Sequence, residues 1–414
     1  MKIRSITYFC NPRFPLDQAV LRRAGVFLHN ARAAFEAAGY EVQTTRLATI
    51  PFPALLGESR LDALPDTARE LDLLIKQIEV GHASLGPASP RMPRSYEVIP
   101  EAIAATQNVF FGGVMADNRR GIDLAAVQKC AQVIVRCAPI DPNGFANLRF
   151  AALANVPAGS PFFPAAYHES AQPAFAIATE AAGLAVEAFT AATTVDEGRS
   201  ALVNSIEKHG QALARVAQGL TRRTASKPST TKSPSPRFLG IDFSLAPFPS
   251  EALSLGTAFE RLGVARVGLH GSLAAAAILT EAIERARFRG TGFSGLFLPV
   301  LEDKTLAQRA EEGTLTVKDL LLYSAVCGTG LDTVPLPGEA TAEQIEAVLL
   351  DVAALALRLD KPLTARLMPI PNKKTGDPTG FEFAFFANSR VMALDSEALQ
   401  GPFGSRESFS LHPR

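Results

Sequence analysis

Short apolar blocks alternate along this chain with longer stretches whose apolar positions recur at helical spacing. In the first half, residues 4–9 read as a strand, about 17–38 as a helix and 41–46 as a strand. A helix over about 67–80 precedes a proline-rich stretch. Residues 108–112 are apolar and end at paired glycines, as a buried strand running into a loop would. Asp123 is placed to cap a helix through about Cys137, and 148–154 reads as another buried strand. A long helical region is predicted over about 174–220, with a break near 193–198.

The second half alternates more clearly. Strands at 238–245 and 265–269 flank a helix over about 250–262, and a helix over about 272–287 leads to a strand at 295–301. Thr316 and Asp319 have capping-box spacing before a helix to about Val326, and Thr341 and Gln344 before one to about Leu359. Residues 364–370 and 381–386 read as the last strands. Apolar strands alternating with helices predict an α/β protein, a sheet covered by helices. Between the halves, 221–237 holds Ser, Thr, Pro and Lys/Arg with no acid, which buries too little to offset its ordering entropy. The chain thus divides into 1–220, a flexible linker over 221–237, and 238–414.

Composition narrows the partners. Forty-one basic and forty-one acidic residues cancel, so no overall field draws the chain to nucleic acid or to a membrane surface. No apolar run has the length of a membrane span or a signal peptide, and four cysteines without a CxxC pair do not make a disulfide framework. A soluble protein of the reducing cytoplasm is expected, with a small molecule as its partner, in a chain free to form a homo-oligomer.

Candidate chemistry gathers where predicted elements end. GIDFSLAP occupies 240–247, and VGLHGS at 267–272 delivers a histidine to a helix start. LPVLED at 298–303 ends in two acids, and SAVCGTGLD at 324–332 is a helix end followed by a glycine-rich turn. In α/β proteins, ligands bind where strand carboxyl ends meet helix N-termini. The first half adds Gly121-Ile122-Asp123 with Ala126 and Val127, then Ala154-Asn155, Pro161-Phe162 and Ala165-Ala166-Tyr167-His168.

Together, in order and over about residues 105–395, these pieces resemble the DUF711/UPF0210 family. The resemblance implies a pyruvate-formate-lyase-like α/β barrel, built here from two halves with helices outside, and no established activity. The chain departs from that pattern at 176–183, where the family carries a glycine-rich loop, and at 110–113, where it carries a cysteine. The family's terminal RGGxIPAP is missing as well. A glycyl radical is not expected, because Ala393 stands where the radical glycine would be needed.

The resemblance sharpens Cys327, which matches a family cysteine in a fold whose enzymes use a loop cysteine inside the barrel. It would act as nucleophile or redox thiol if a positive neighbour lowered its pKa, and as a small hydrophobe if buried. His168 and His270 match family positions and are candidate bases, or else structural histidines bonded to loop carbonyls. Asn118, Asp123, Gly271, Gly328 and Gly330 are the candidate ligand contacts. Asp242, Glu302, Asp303 and Asp332 would hold Mg²⁺ or Ca²⁺ if they converge, and act as caps if they do not. Cys130 and Cys137, seven apart on one helix, read as core; Cys10 has no assignment.

Phosphate loops, nucleophile elbows and HExxH are absent. The leading expectation is a small-molecule enzyme with a pocket at the barrel mouth. A non-catalytic ligand-binding or regulatory protein on a retired barrel is the alternative. On either reading, at least four of Asp242, His270, Glu302, Cys327, Asp332 and His168 should lie within roughly 12 Å of one point.

Overall fold

A computed structural model describes residues 1–226 and 235–414. Its strands in chain order are β1 (Lys2–Cys10), β2 (Val42–Thr49), β3 (His82–Ala88), β4 (Val109–Asp117), β5 (Gly121–Asp123) and β6 (Phe150–Ala154). They continue as β7 (Ala174–Glu180), β8 (Arg237–Asp242), β9 (Gly330–Pro337), β10 (Leu363–Ile370) and β11 (Ser408–Phe409). All eleven join one sheet, whose main path runs β8-β7-β1-β2-β3-β4-β6-β10-β9, with β5 and β11 beside β4. Pairing along that path is parallel except at β1–β7 and β6–β10. Strands from both halves of the chain therefore share one sheet.

Local signals account for much of this. Asp17 accepts from the amides of Ala19 and Val20 and starts the helix Gln18–Ala37, which carries the chain from β1 to β2 and packs on both. Both capping boxes form, at Thr316/Asp319 and Thr341/Gln344, and start the helices Val317–Ser324 and Ala342–Arg358. Asp123 caps the helix Leu124–Cys137, on which Cys130 and Cys137 are buried as expected.

Four sequence-based assignments are corrected. Residues 174–180 form β7 rather than the start of a helix, because a short run buried on both faces has no periodicity to reveal its type. Residues 265–269 are a turn. There Gly268 adopts φ 99, and a Cβ at that position would sit 1.8 Å from the Thr314 carbonyl oxygen. Residues 295–301 and 381–386 are irregular rather than strands. The stretch read as a linker is helical through Ser226, within the helix Val195–Ser226, and enters β8 at Arg237; residues 227–234 lie outside the described residues.

Of the expected closed or nearly closed α/β barrel, the structure shows a mixed α/β fold with one mostly parallel sheet that is open, with β8 and β9 at its edges. The segment 290–299 touches both edges, through single bridges at Ile241–Gly290 and Pro299–Asp332. Gly290, Gly292, Gly295 and Pro299 keep it from forming a ladder.

One face of the sheet is covered by helices and holds most of the core. The other face carries small side chains, among them Ala48, Ala151, Ala174 and Ala176. Their size admits the loop after β6, which inserts Phe162, Phe163, Ala165 and Ala166 against that face. Residues 293–297 cover its far side with Phe293 and Phe297.

Candidate functional site

Between this inner face and its covering loops lies a cavity of ≈ 130 Å³. Strands supply its polar wall: Arg4 from β1, Gln43, Thr44 and Arg46 from β2, His82 from β3, Thr179 from β7. Asp242 from β8, Asp332 from β9 and Arg366 from β10 complete that wall, with Glu302 from the turn after Pro299. Phenylalanines supply most of the apolar lining, Phe110, Phe162, Phe163 and Phe297, with Phe383 and Phe385 from the C-terminal segment, beside smaller residues such as Ala178 and Ala246.

Sheet irregularities aim the charges. The β1–β7 register shifts between Ile3 and Ser5, which leaves Arg4 as the extra residue. The β9–β10 register shifts opposite Arg366, where Asp332 and Thr333 face one partner and Thr333 takes φ 43. A bulge of this kind re-aims a side chain that a regular pleat would place elsewhere.

Four charged groups of the wall, Arg4, Glu302, Asp332 and Arg366, form one network with Glu180 behind them. Arg4 donates through Nη1 to Glu180 at 2.8 Å and through Nη2 to Glu302. Arg366 donates through Nη2 to Glu302 at 2.8 Å and through Nε to Asp332 at 2.5 Å. Glu302 thus joins two arginines, and Gln43 Nε2 adds a bond to Glu180 at 2.8 Å. Burial raises the Asp332 carboxyl pKa, and Arg366 opposes that rise.

Arg46 is different. Its Nε donates to Thr44 Oγ1 at 3.0 Å, and its guanidinium lies 5.1 Å from the Phe163 ring centre. Among the described residues it forms no ion pair with a carboxylate. Burial, then Arg4, pushes its pKa down to about 9, so it remains a cation at neutral pH. His82 stands edge-on to Phe110 with its buried Nδ1 unpartnered. Burial, then Arg46, pushes its pKa down to about 4, which leaves a neutral imidazole.

Asp242 is fully buried on the cavity wall. Its Oδ1 accepts from Ser244 Oγ at 2.5 Å and the Ser294 amide at 2.8 Å, and its Oδ2 from the Phe293 amide at 3.1 Å. Gly292 permits this approach, since a Cβ there would lie 2.4 Å from Oδ2. Burial raises the carboxyl to about 6 despite those donors.

Of the six residues expected to share a cleft, Asp242, Glu302 and Asp332 line the cavity. His168, His270 and Cys327 are not among its lining residues. His168 packs beside Phe9, buried, with Nε2 unpartnered. His270 is exposed in the turn before the helix Ser272–Arg285, whose N-cap is Gly271. Cys327 is 1 % exposed within the main apolar core, and burial pushes its thiol up to about 11. Lys361 donates to the Cys327 carbonyl, not to a thiolate.

The remaining candidates have structural partners. Asp303 accepts from the amides at the starts of two helices. Asn118 bonds Asp360 at the surface, and Asp123 accepts from Ala126 and Ser408. Gly328 packs on Gly295, and Gly330 at φ 90 faces the Thr364 carbonyl, so these glycines serve chain packing. Among the described residues, no three His, Cys, Asp or Glu side chains gather as a metal would need. Glu302 and Asp332 are held by arginines, and both Asp303 oxygens by helix starts.

Sequence reasoning missed Arg4, Arg46, Arg366 and His82. A signal existed: each arginine belongs to a predicted strand, Arg4 at its start, Arg46 at its end and Arg366 inside it, and a charge there must be paired or face a polar cavity. The buried thiols yield a prediction. Native protein should react with a thiol reagent orders of magnitude more slowly than the unfolded chain, which exposes four cysteines. Rapid uptake of one equivalent by the native protein would show that a cysteine is open and activated.

Among the described residues, no helix is long and apolar enough to cross a membrane. The family model described as "Uncharacterised ACR (DUF711)" matches residues 1–385, which takes in β1 to β3 and their arginines as well as the motif region. A UPF0210 protein of Pyrobaculum arsenaticum is 32% identical over 352 residues, 82% of this chain and 76% of the relative. One from Oenococcus oeni is 28% identical over 379 residues, 88% and 82% of the two chains. One from Neisseria meningitidis serogroup C is 29% identical over 360 residues, 83% and 77%. With most of its length matched by the family model, the chain belongs to the DUF711/UPF0210 family.

Proposed function

We propose that this protein is a small-molecule enzyme whose site is the arginine-lined cavity. In this reading the open sheet and the 290–299 segment together act as the pyruvate-formate-lyase-like barrel that the resemblance implies, without glycyl-radical chemistry. The observation that carries the proposal is Asp242, a carboxyl held by three donors on the wall of that cavity. Fixed orientation and a pKa near neutrality suit a general base. Oδ2 accepts one bond from the protein and has a lone pair left for a substrate proton. His82, neutral on the same wall, is a second proton acceptor. Cys327 has no part in this proposal, because its thiol is protonated at neutral pH and faces the core.

The test is metabolite profiling. Purified protein is incubated with a small-molecule extract, and depletion is followed by mass spectrometry. Wild type should consume at least one compound, and Asp242→Asn should slow this by about 10²-fold or more. Because the ionised form is the base, the wild-type rate should rise as pH rises through about 6 and then level off. That limb should vanish in Asp242→Asn. Undiminished turnover by a folded Asp242→Asn would remove Asp242 from the mechanism. A compound retained but never altered would favour the ligand-binding alternative.

A further inference from the structure

We infer that the cavity takes a monoanionic organic acid, its carboxylate on Arg46 and its apolar body between the phenylalanine rings. This rests on the proposal that the cavity is the functional site, and adds the class of ligand.

The charges decide the head group. Arg4 and Arg366 are engaged by Glu180, Glu302 and Asp332. Asp242 is satisfied by a hydroxyl and two amides and forms no ion pair among the described residues. Arg46 is then the cation on this wall with no carboxylate partner, and only its Nε has a hydrogen bond within the protein among the described residues. A guanidinium in that state is completed by a planar carboxylate, which accepts two parallel N–H bonds. Of the three arginines on this wall only Arg46 lacks a carboxylate, so it has room for one, while Asp242, anionic above about pH 6, disfavours a second negative charge on the ligand. A phosphate dianion would need a second cation, and neutral His82 does not supply it.

The walls decide the body. Phe110, Phe163 and Phe297 flank the space, and Phe383 and Phe385 close it from the C-terminal segment. Such surfaces favour an apolar or aromatic group over a sugar or a polyol. A cavity of ≈ 130 Å³ is close to the ~150 Å³ in which an engineered protein cavity holds benzene. The ligand body is therefore of single-ring size.

The test is calorimetric titration of the full-length protein with benzoate, benzamide and phenyl phosphate, which share a ring and differ in charge. Benzoate should bind wild type more tightly than either of the others. Arg46→Met should weaken benzoate by at least about thirtyfold and leave benzamide unchanged. Arg46→Lys, which keeps the charge, should recover part of the loss. A thermal melt establishes that each variant folds, and the Lys variant keeps the test decisive if the Met variant does not. Equal binding of benzamide and benzoate, or tighter binding of phenyl phosphate, would overturn the inference while leaving the site in place. If none of the three binds although metabolite consumption depends on Asp242, the ligand class is wrong and the site stands. If consumption also survives Ala178→Phe, which fills the cavity wall, both readings fall.

Discussion

Arg366→Met is expected to lower folding stability by about 3–5 kcal/mol, measured by urea unfolding near pH 8. Arg366 is buried and pairs with two carboxylates that are themselves buried. Glu302 keeps Arg4 as a partner after the change, whereas Asp332 loses the arginine that opposes its desolvation. The cost is mainly that uncompensated carboxylate, not a lost attraction.

A pH dependence follows from its sign. Asp332 already has a raised pKa, and removal of Arg366 raises it further above the unfolded value. The folded variant then binds a proton more tightly than the unfolded chain. Its deficit is complete above the folded-state pKa and shrinks as pH falls through it. The deficit at pH 5.5 should therefore be smaller than at pH 8. Arg366→Met combined with Asp332→Leu should recover most of the loss, since apolar replacement of a whole buried pair is often near neutral. A deficit under about 1 kcal/mol, or one that does not vary with pH, would mean that water already reaches the network.

The sequence carried those parts of this architecture that are local. Asp17, Asp123, Thr316 and Thr341 announce helix starts within a few residues, and each starts one. Asp242, Glu302 and Asp332 were visible because acids at the ends of apolar runs are conspicuous, and all three reach the cavity. What stayed hidden depends on partners distant in sequence. Arg4 turns inward because β1 slips against β7, and Arg366 meets Asp332 because β9 carries an extra residue. Neither slip can be seen within its own strand. His270 failed for the same reason: the strand assumed to deliver it is a turn, set by the approach of Gly268 to the Thr314 backbone. Cys327 looked reactive in its glycine-rich turn, yet those glycines bring Gly295 and Thr364 close instead of a ligand.

Asp303 shows how an acid read as a metal ligand does structural work beside the site. Its Oδ1 accepts from the amides of Thr305 and Leu306, the start of the helix Lys304–Glu311. The same oxygen accepts from Ser254 Oγ at 2.5 Å, and Ser254 in turn caps the helix Leu255–Arg261. Oδ2 accepts from the amides of Leu255 at 2.6 Å and Gly256 at 3.2 Å. One fully buried carboxylate thus holds two helix N-termini together, where both dipoles favour its charge. Asp303→Ala strands four amides and a hydroxyl in a dry site. At about 1 kcal/mol for a lost cap and about 1–3 kcal/mol for each donor left unmatched, a loss of about 4 kcal/mol or more is expected even after relaxation. Asp303→Asn should be intermediate, since one oxygen remains while an NH₂ group replaces the acceptor facing Leu255 and Gly256. The effect should reach the cavity too, because the next residue back is Glu302, which joins Arg4 to Arg366. Ligand affinity should therefore fall along with stability, and neither should depend on added Mg²⁺ or Ca²⁺. Urea unfolding of Asp303→Ala with and without those cations checks this. A loss under about 1.5 kcal/mol would refute the double cap, and a wild-type stability that rises with either cation would return Asp303 to the role of ligand.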